Sequence, residues 1–144
     1  MNVAYLFGPN LGALGRRDPS VYGSRSLADI MGEVQERGEG LGHAVTWQQS
    51  DHEGTLIEAL LAAGDGGVDA VVLNAGALTH YSYALRDAVE ACGVPVIEVH
   101  MSNIDAREGF RRTSVLGDVC VGSIVGFGDG SYHLALEAMQ WIIR

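Results

Sequence analysis

Three groups of residues in this chain have the types and spacing to move protons. The first follows the apolar run Val3 to Phe7, which empties into Gly8, Pro9 and Asn10 and then runs on to Gly23 through Arg16, Arg17, Asp18, Pro19, Ser20, Val21 and Tyr22. From Gly8 to Gly23 the chain holds two prolines and four glycines, a composition of turns and mobile loops in which no helix is expected. That segment carries Asn10, Arg17 and Tyr22. A guanidinium beside a tyrosine favours phenolate over phenol and turns an inert side chain into a base. A phenol titrates near 10, so a base poised near neutrality needs a lowering of about 2 to 3 units, at roughly 1.4 kcal/mol each. One arginine about 4 Å away supplies around 4 kcal/mol at an effective dielectric of about 20. The competing reading is that Tyr22 packs on the next helix while Arg16 and Arg17 are merely solvated.

The second group is Glu98, His100 and Ser102. Alternation along an extended strand puts all three on one side, with Val99 and Met101 opposite. A carboxylate next to a histidine fixes its tautomer and suits it to act as a general acid. A structural ion pair at a strand end is the other reading. The third group is Asn74 with Thr79 and His80, just past another apolar run.

Other patterns carry less. Asp51, His52 and Glu53 are adjacent and point in different directions, so a cap on the following helix by Asp51 or His52 is expected rather than a metal site. Gly126, Gly128 and Gly130 miss the dinucleotide-binding spacing and read as a turn into the last helix. His100 and Ser102 stand side by side without a glycine elbow and do not make a serine triad. His43 and His133 have no polar company in the sequence. Cys92 and Cys120 lack metal or redox spacing and read as reduced, buried thiols. All nine basic residues are arginine and none is lysine, which excludes Schiff-base catalysis at a side chain and a Walker A phosphate loop.

The elements that must hold these groups follow from periodicity. Strands are expected at Val3 to Phe7, Ala44 to Gln48, Ala70 to Leu73, Val94 to Val99 and Val119 to Val125. Helices are expected at roughly Leu27 to Gly40, Glu53 to Ala63, Ser82 to Cys92 and Ser131 to Ile143. This βαβα alternation indicates an α/β fold, a flavodoxin-like doubly wound five-stranded parallel sheet with helices on both faces. Sites on such sheets lie at the carboxyl ends of the strands, where the three groups fall. The 144 residues suffice for one domain, 1–144, with a mobile catalytic loop at about 10–23. A formal net charge of −9 without a basic stripe argues against a nucleic-acid partner. No apolar run is long enough to span a membrane and no signal-peptide pattern is present, so a cytoplasmic protein is expected.

The segments FGPNLGALGRRDPSVYG, QSDHEG, LNAGALTHYSYALRDA, PVIEVHMSNIDAREGFRRTS and GSIVGFG, in this order over almost the whole chain, resemble the type II 3-dehydroquinate dehydratases of the shikimate pathway. The resemblance implies conversion of 3-dehydroquinate to 3-dehydroshikimate with loss of water, without metal, cofactor or lysine, by a dodecamer built as four trimers. It implies that Tyr22 removes a proton from C2 of the substrate, that Arg17 lowers the pKa of Tyr22 and closes over the site, and that Asn10 holds a water against the enolate oxygen. His100, supported by Glu98, then protonates the leaving C1 hydroxyl. Asn74, Ser102 and the backbone at Met101 and Ser102 would hold the substrate carboxylate, while His80 and Arg111 hold ring hydroxyls. Asp87 would reach the site of a neighbouring subunit.

The chain also departs from the family pattern. Phe7 stands where Asn is common, Asp105 where His is usual, Gly109 where Glu is usual, and Thr113 and Val115 where His and Tyr are usual. None of these is a proposed proton carrier, but Asp105 would weaken anion binding if it faced inward. The alternative from another class is a non-catalytic module whose crevice binds a small anion, which needs Asn74, Ser102 and Arg111 but not Tyr22, Arg17 and His100 together.

Overall fold

The most apolar runs of the chain form the middle of the sheet. In the computed structural model, which describes residues 1–16, 18, 20 and 24–143, the strands are β1 (Asn2–Phe7), β2 (Ala44–Gln49), β3 (Ala70–Asn74), β4 (Val96–His100) and β5 (Gly122–Val125). They pair in parallel in the order β2-β1-β3-β4-β5. Every residue of β3 and β4 is buried, as strands covered on both faces require. The helices are α1 (Leu27–Gly40), α2 (Glu53–Gly64), α3 (Tyr83–Ala91), the short α4 (Gly109–Arg112) and α5 (Gly130–Ile142).

Strand alternation sorts the core into two layers. Val3, Tyr5 and Phe7 of β1, Val72 of β3 and Ile97 and Val99 of β4 pack with Leu27, Ile30, Met31 and Val34 of α1 and Tyr132, Ala135, Leu136 and Met139 of α5. On the other face Leu6, Val71, Leu73 and Val96 pack with Leu56, Leu60 and Ala63 of α2 and Leu85, Ala88 and Val89 of α3. This is the flavodoxin-like arrangement expected from the alternation. Two serines start helices as their sequence positions suggest: Ser26 forms a reciprocal capping box with Asp29, and Ser82 accepts from Leu85 N at 3.0 Å.

Two expectations change. The segment after β1 is not free of helix: a 3-10 turn spans Leu11–Ala13, and Leu11 and Leu14 are buried against the α1 layer, because two leucines offer more apolar surface than a glycine-rich loop needs to expose. β5 begins at Gly122 rather than Val119. Residues 113–121 instead run as an irregular connector whose Leu116 is fully buried in the α2 and α3 layer. Gly126 and Gly128 do turn the chain into α5, at φ 95° and 60°. Among the described residues no helix is long and apolar enough to cross a membrane.

The chain leaves β1 towards β2 on one side and returns through β3 on the other, so a crevice opens beyond the carboxyl ends of β1 and β3.

Candidate active site

The crevice begins with a tight backbone approach. Gly8 N donates to Asn74 O at 2.8 Å, and a Cβ at Gly8 would stand only 2.4 Å from Ala75 O, so glycine is required there. Two residues on, Asn10 adopts the left-handed conformation at φ 69°, which asparagine tolerates better than most side chains. Its N–H donates to Asp51 Oδ1 at 2.9 Å. Gln49 Nε2 donates to the same oxygen at 2.9 Å and to Gly8 O at 3.1 Å. The Asn10 N–H, and then Gln49, hold the Asp51 carboxyl below its usual range. This corrects the expected helix cap: His52 occupies the N-cap position of α2 but makes no side-chain cap bond, and Asp51 serves the Asn10 turn instead.

Asn74, 4% exposed at the end of β3, has its amide oriented by two bonds. Its Oδ1 accepts from Gly76 N at 3.1 Å and its Nδ2 donates to the Tyr132 hydroxyl at 2.8 Å. Burial pushes the Tyr132 phenol far up, against a smaller lowering by Asn74, so the hydroxyl is neutral. One amide hydrogen of Asn74 is left for the crevice.

Glu98 is 2% and His100 6% exposed. Glu98 Oε1 accepts from His100 Nε2 at 2.7 Å and from Ser114 Oγ at 2.7 Å, and its Oε2 lies 3.4 Å from Ser123 Oγ. Burial pushes the Glu98 carboxyl up, but His100 and the two serines together outweigh it and hold the group below its ordinary range. With Nε2 committed to a carboxylate, Nδ1 is the ring nitrogen left to serve the crevice. β4 ends at His100, and Ser102 reaches the same crevice from the bend that follows rather than by continued alternation.

The crevice, about 690 Å³ counting its mouth, is lined by Pro9, Asn10, Leu11, Asn74, Gly76, Ala77, His80, His100, Met101, Ser102, Ile104, Arg107 and Arg111. Seven of the residues anticipated from sequence therefore meet in one place: Asn10, Asn74, His80, His100, Met101, Ser102 and Arg111. Glu98 stands directly behind His100. His80 Nδ1 lies 2.7 Å from Thr113 O; a carbonyl only accepts, so Nδ1 carries the proton and Nε2 remains for a ligand. Arg111 Nε lies 3.4 Å from Glu108 Oε2 without hydrogen-bond geometry, and its guanidinium stacks 4.8 Å above the Phe110 ring. Arg107, absent from the sequence-based set, reaches Ser102 Oγ at 3.4 Å. Two arginines four apart on SNIDAREGFRR were the signal available for it, although Arg107 stands in extended backbone ahead of α4 and does not share a helical turn with Arg111. The sequence marked Asp51 only as a helix-cap candidate and gave Ser114 and Tyr132 no role.

Asp105 is exposed and lines no part of the crevice, so its charge does not oppose an anion there at close range. Asp87 is exposed on α3, also away from the crevice of its own chain. Neighbouring Arg86 is engaged with Asp118 and with Val115 O. Arg17 and Tyr22 lie outside the described residues. The two remaining histidines have polar company after all: His43 Nδ1 is 3.3 Å from the N-terminal amine and His133 Nε2 is 4.0 Å from Glu33.

On a protein of net charge −9, a crevice lined by two arginines and two histidines is suited to a small anion. An imidazole backed by a buried carboxylate can deliver a proton to it. Comparison with known proteins points to one family. Residues 1–140 match the family model described as dehydroquinase class II. The chain is 52% identical over 140 residues to a 3-dehydroquinate dehydratase of Pelodictyon phaeoclathratiforme, covering 96% of this chain and 91% of that one. It is 49% identical over 139 residues to the 3-dehydroquinate dehydratase of Deinococcus radiodurans, covering 96% and 97%. The crystal structure of a type II dehydroquinase from Butyrivibrio crossotus superposes with a TM-score of 0.94 at 39% identity, covering 97% of each chain.

Proposed function

This chain belongs to the class II dehydroquinases and removes water from 3-dehydroquinate, a step of the shikimate pathway; we propose that it does so through an enolate, in the crevice described above. The observation that carries the mechanism is the buried Glu98–His100 pair at the crevice floor, which an anion-binding module has no reason to build.

In this reading Tyr22, as phenolate beside Arg17, takes the proton from C2 of the substrate, next to the C3 ketone. The electron pair moves onto the ketone oxygen and gives an enolate, which Asn10 stabilises through a water. The left-handed turn pinned by Asp51 supports that role, because it fixes where the Asn10 side chain starts. His100, protonated on Nδ1 and held at Nε2 by Glu98, gives its proton to the C1 hydroxyl. The C1–O bond then breaks, water leaves, and the double bond forms between C1 and C2. Asn74, Ser102 and the backbone at Met101 and Ser102 hold the substrate carboxylate; His80 and Arg111 hold ring hydroxyls. No lysine is needed, and the chain has none.

Asp87 contributes to a neighbour's crevice in a dodecamer of four trimers, acting in the cytoplasm. The exposure of Asp87 on α3 supports an oligomer, and the exposed aromatic side chains Tyr81, Tyr83, Phe110, Phe127 and Trp141 offer apolar surface that contact with other chains would bury. The test is to mix purified protein with 3-dehydroquinate and follow the ultraviolet absorbance of the conjugated enone. Absorbance should rise with turnover. A flat trace from folded, assembled protein removes the proposal.

A further inference from the structure

The Glu98–His100 pair rests on a third side chain. Ser114 lies in the irregular connector between α4 and β5, and its Oγ accepts from Leu116 N at 3.1 Å and from Gly117 N at 3.0 Å. A serine hydroxyl has two lone pairs and one proton. Both lone pairs face N–H groups that can only donate, so the proton is directed at the remaining neighbour, Glu98 Oε1, at 2.7 Å. Oε1 must then accept, and a proton placed on it would meet an O–H instead of a lone pair. The same oxygen faces His100 Nε2 at 2.7 Å, which must therefore also donate.

We propose that Ser114 is a positioning residue for the dehydration: its backbone-locked hydroxyl keeps Glu98 an acceptor and so keeps the His100 proton on Nε2, leaving Nδ1 to exchange the catalytic proton. The inference rests on His100 being the proton donor. The surroundings support a locked geometry. Leu116, two residues on, is fully buried and anchors the turn in the α2 and α3 layer. A Cβ at Gly117 would stand 3.2 Å from Glu98 Oε2, so the connector backbone closes over the carboxylate. Ser123 of β5, in register with Glu98, approaches Oε2 at 3.4 Å. Among the described residues Cys120 is a further titratable neighbour, and its thiol is pushed up to about 12 by burial and then by the Glu98 charge. It stays neutral and does not compete for the His100 proton.

The test combines nitrogen-detected imidazole spectra with steady-state kinetics on the full chain, His100 being assigned by loss of its signal in His100→Ala. Wild-type protein should show His100 protonated on Nε2 and unprotonated on Nδ1 when neutral. Ser114→Ala should lose this single tautomer and lower kcat about 10- to 100-fold, the range for a hydrogen bond to a charged group, with KM for 3-dehydroquinate within about twofold. Ser114→Thr, which keeps the hydroxyl, should recover kcat to within about threefold. A wild-type kcat in Ser114→Ala overturns the inference. So does a fall in kcat with the Nε2–H tautomer intact, which marks a merely structural turn. If Ser114→Ala does not fold, an Nδ1–H tautomer in wild type or Ser114→Thr overturns it, and the Nε2–H tautomer in both with normal kcat in Ser114→Thr supports it. The spectra need no turnover, so a correct tautomer in a protein without dehydratase activity counts against the proposed reaction and not against the Ser114 lock.

Discussion

Replacing Glu98 by glutamine removes one charge and almost no volume, so its effect measures what the buried carboxylate does for His100. Glu98 Oε1 lies 2.7 Å from His100 Nε2, which puts the charge centres about 4 Å apart, worth around 4 kcal/mol at an effective dielectric of about 20. At about 1.4 kcal/mol per factor of ten, the ceiling on the loss of the protonated imidazole is near 10³. Part of this is returned, because a buried neutral amide costs less to desolvate than a carboxylate. Geometry adds to the loss: Oε1 and Oε2 face three donors, and an amide must turn its NH₂ towards at least one of them. We expect Glu98→Gln to lower kcat about 10²- to 10³-fold at neutral pH. KM should stay within about threefold, since Glu98 lies behind the crevice wall and does not line it. The assay is the enone absorbance, with the thermal midpoint measured alongside. A kcat within about threefold of wild type would refute the reasoning, and a large rise in KM with unchanged kcat would place Glu98 in binding instead.

The same substitution gives a pH prediction. Glu98 in the folded protein titrates below its ordinary 4.5, so its stabilisation is complete above the unfolded value and is lost as the pH falls through the folded one. The midpoint of wild type should therefore drop more steeply between about pH 5 and 3 than that of Glu98→Gln; parallel slopes would show that the pair adds no acid-sensitive stability. Tyr22→Phe should leave assembly and midpoint unchanged and cost about 10² to 10⁴ in turnover, and near-normal turnover would mean another base. Tyr132→Phe removes the acceptor of Asn74 Nδ2 and should raise KM about three- to tenfold with a smaller change in kcat, whereas an unchanged KM would show that Asn74 needs no such support. Mixing Tyr22→Phe chains with Asp87→Ala chains should restore activity in exchanged trimers if Asp87 serves a neighbour; no rescue, with exchange verified by mass, means each chain completes its own site.

Periodicity made the sheet and its helices legible, and α1 was read to the residue at Leu27–Gly40. It failed where no period exists. The run Val119 to Val125 looks like one strand, but only its last four residues are in register with β4, while Val119 and Cys120 turn with Leu116 and pack against the α2 and α3 layer instead. The same irregular connector hides Ser114, a residue type found on any surface. Asn74, Glu98, His100 and Ser102 could be found because they sit in or just past the carboxyl ends of apolar strands, where such sheets bind ligands. Their supports could not. Tyr132 reads as one more core aromatic until its hydroxyl is seen 2.8 Å from Asn74, and Asp51 reads as a cap until Asn10 claims it.

The position of these supports divides the site's labour between the two layers of the fold. Asn74 follows Ala70 and Val72 on the α1 and α5 face of β3, and its partner Tyr132 sits in that layer. Glu98 follows Val96 on the opposite face of β4, where the connector carrying Ser114 and Leu116 packs with α2 and α3. In the proposed mechanism a ligand at the strand ends therefore rests on one layer for the amide assigned to bind it and on the other for the acid assigned to protonate it. Loosening the α5 layer around Tyr132 should act on KM, and loosening the connector around Leu116 should act on kcat, even where two substitutions cost the same stability. That separation is a property of strand alternation: neighbouring residues of one strand face different cores, so a site built at the strand ends draws on both.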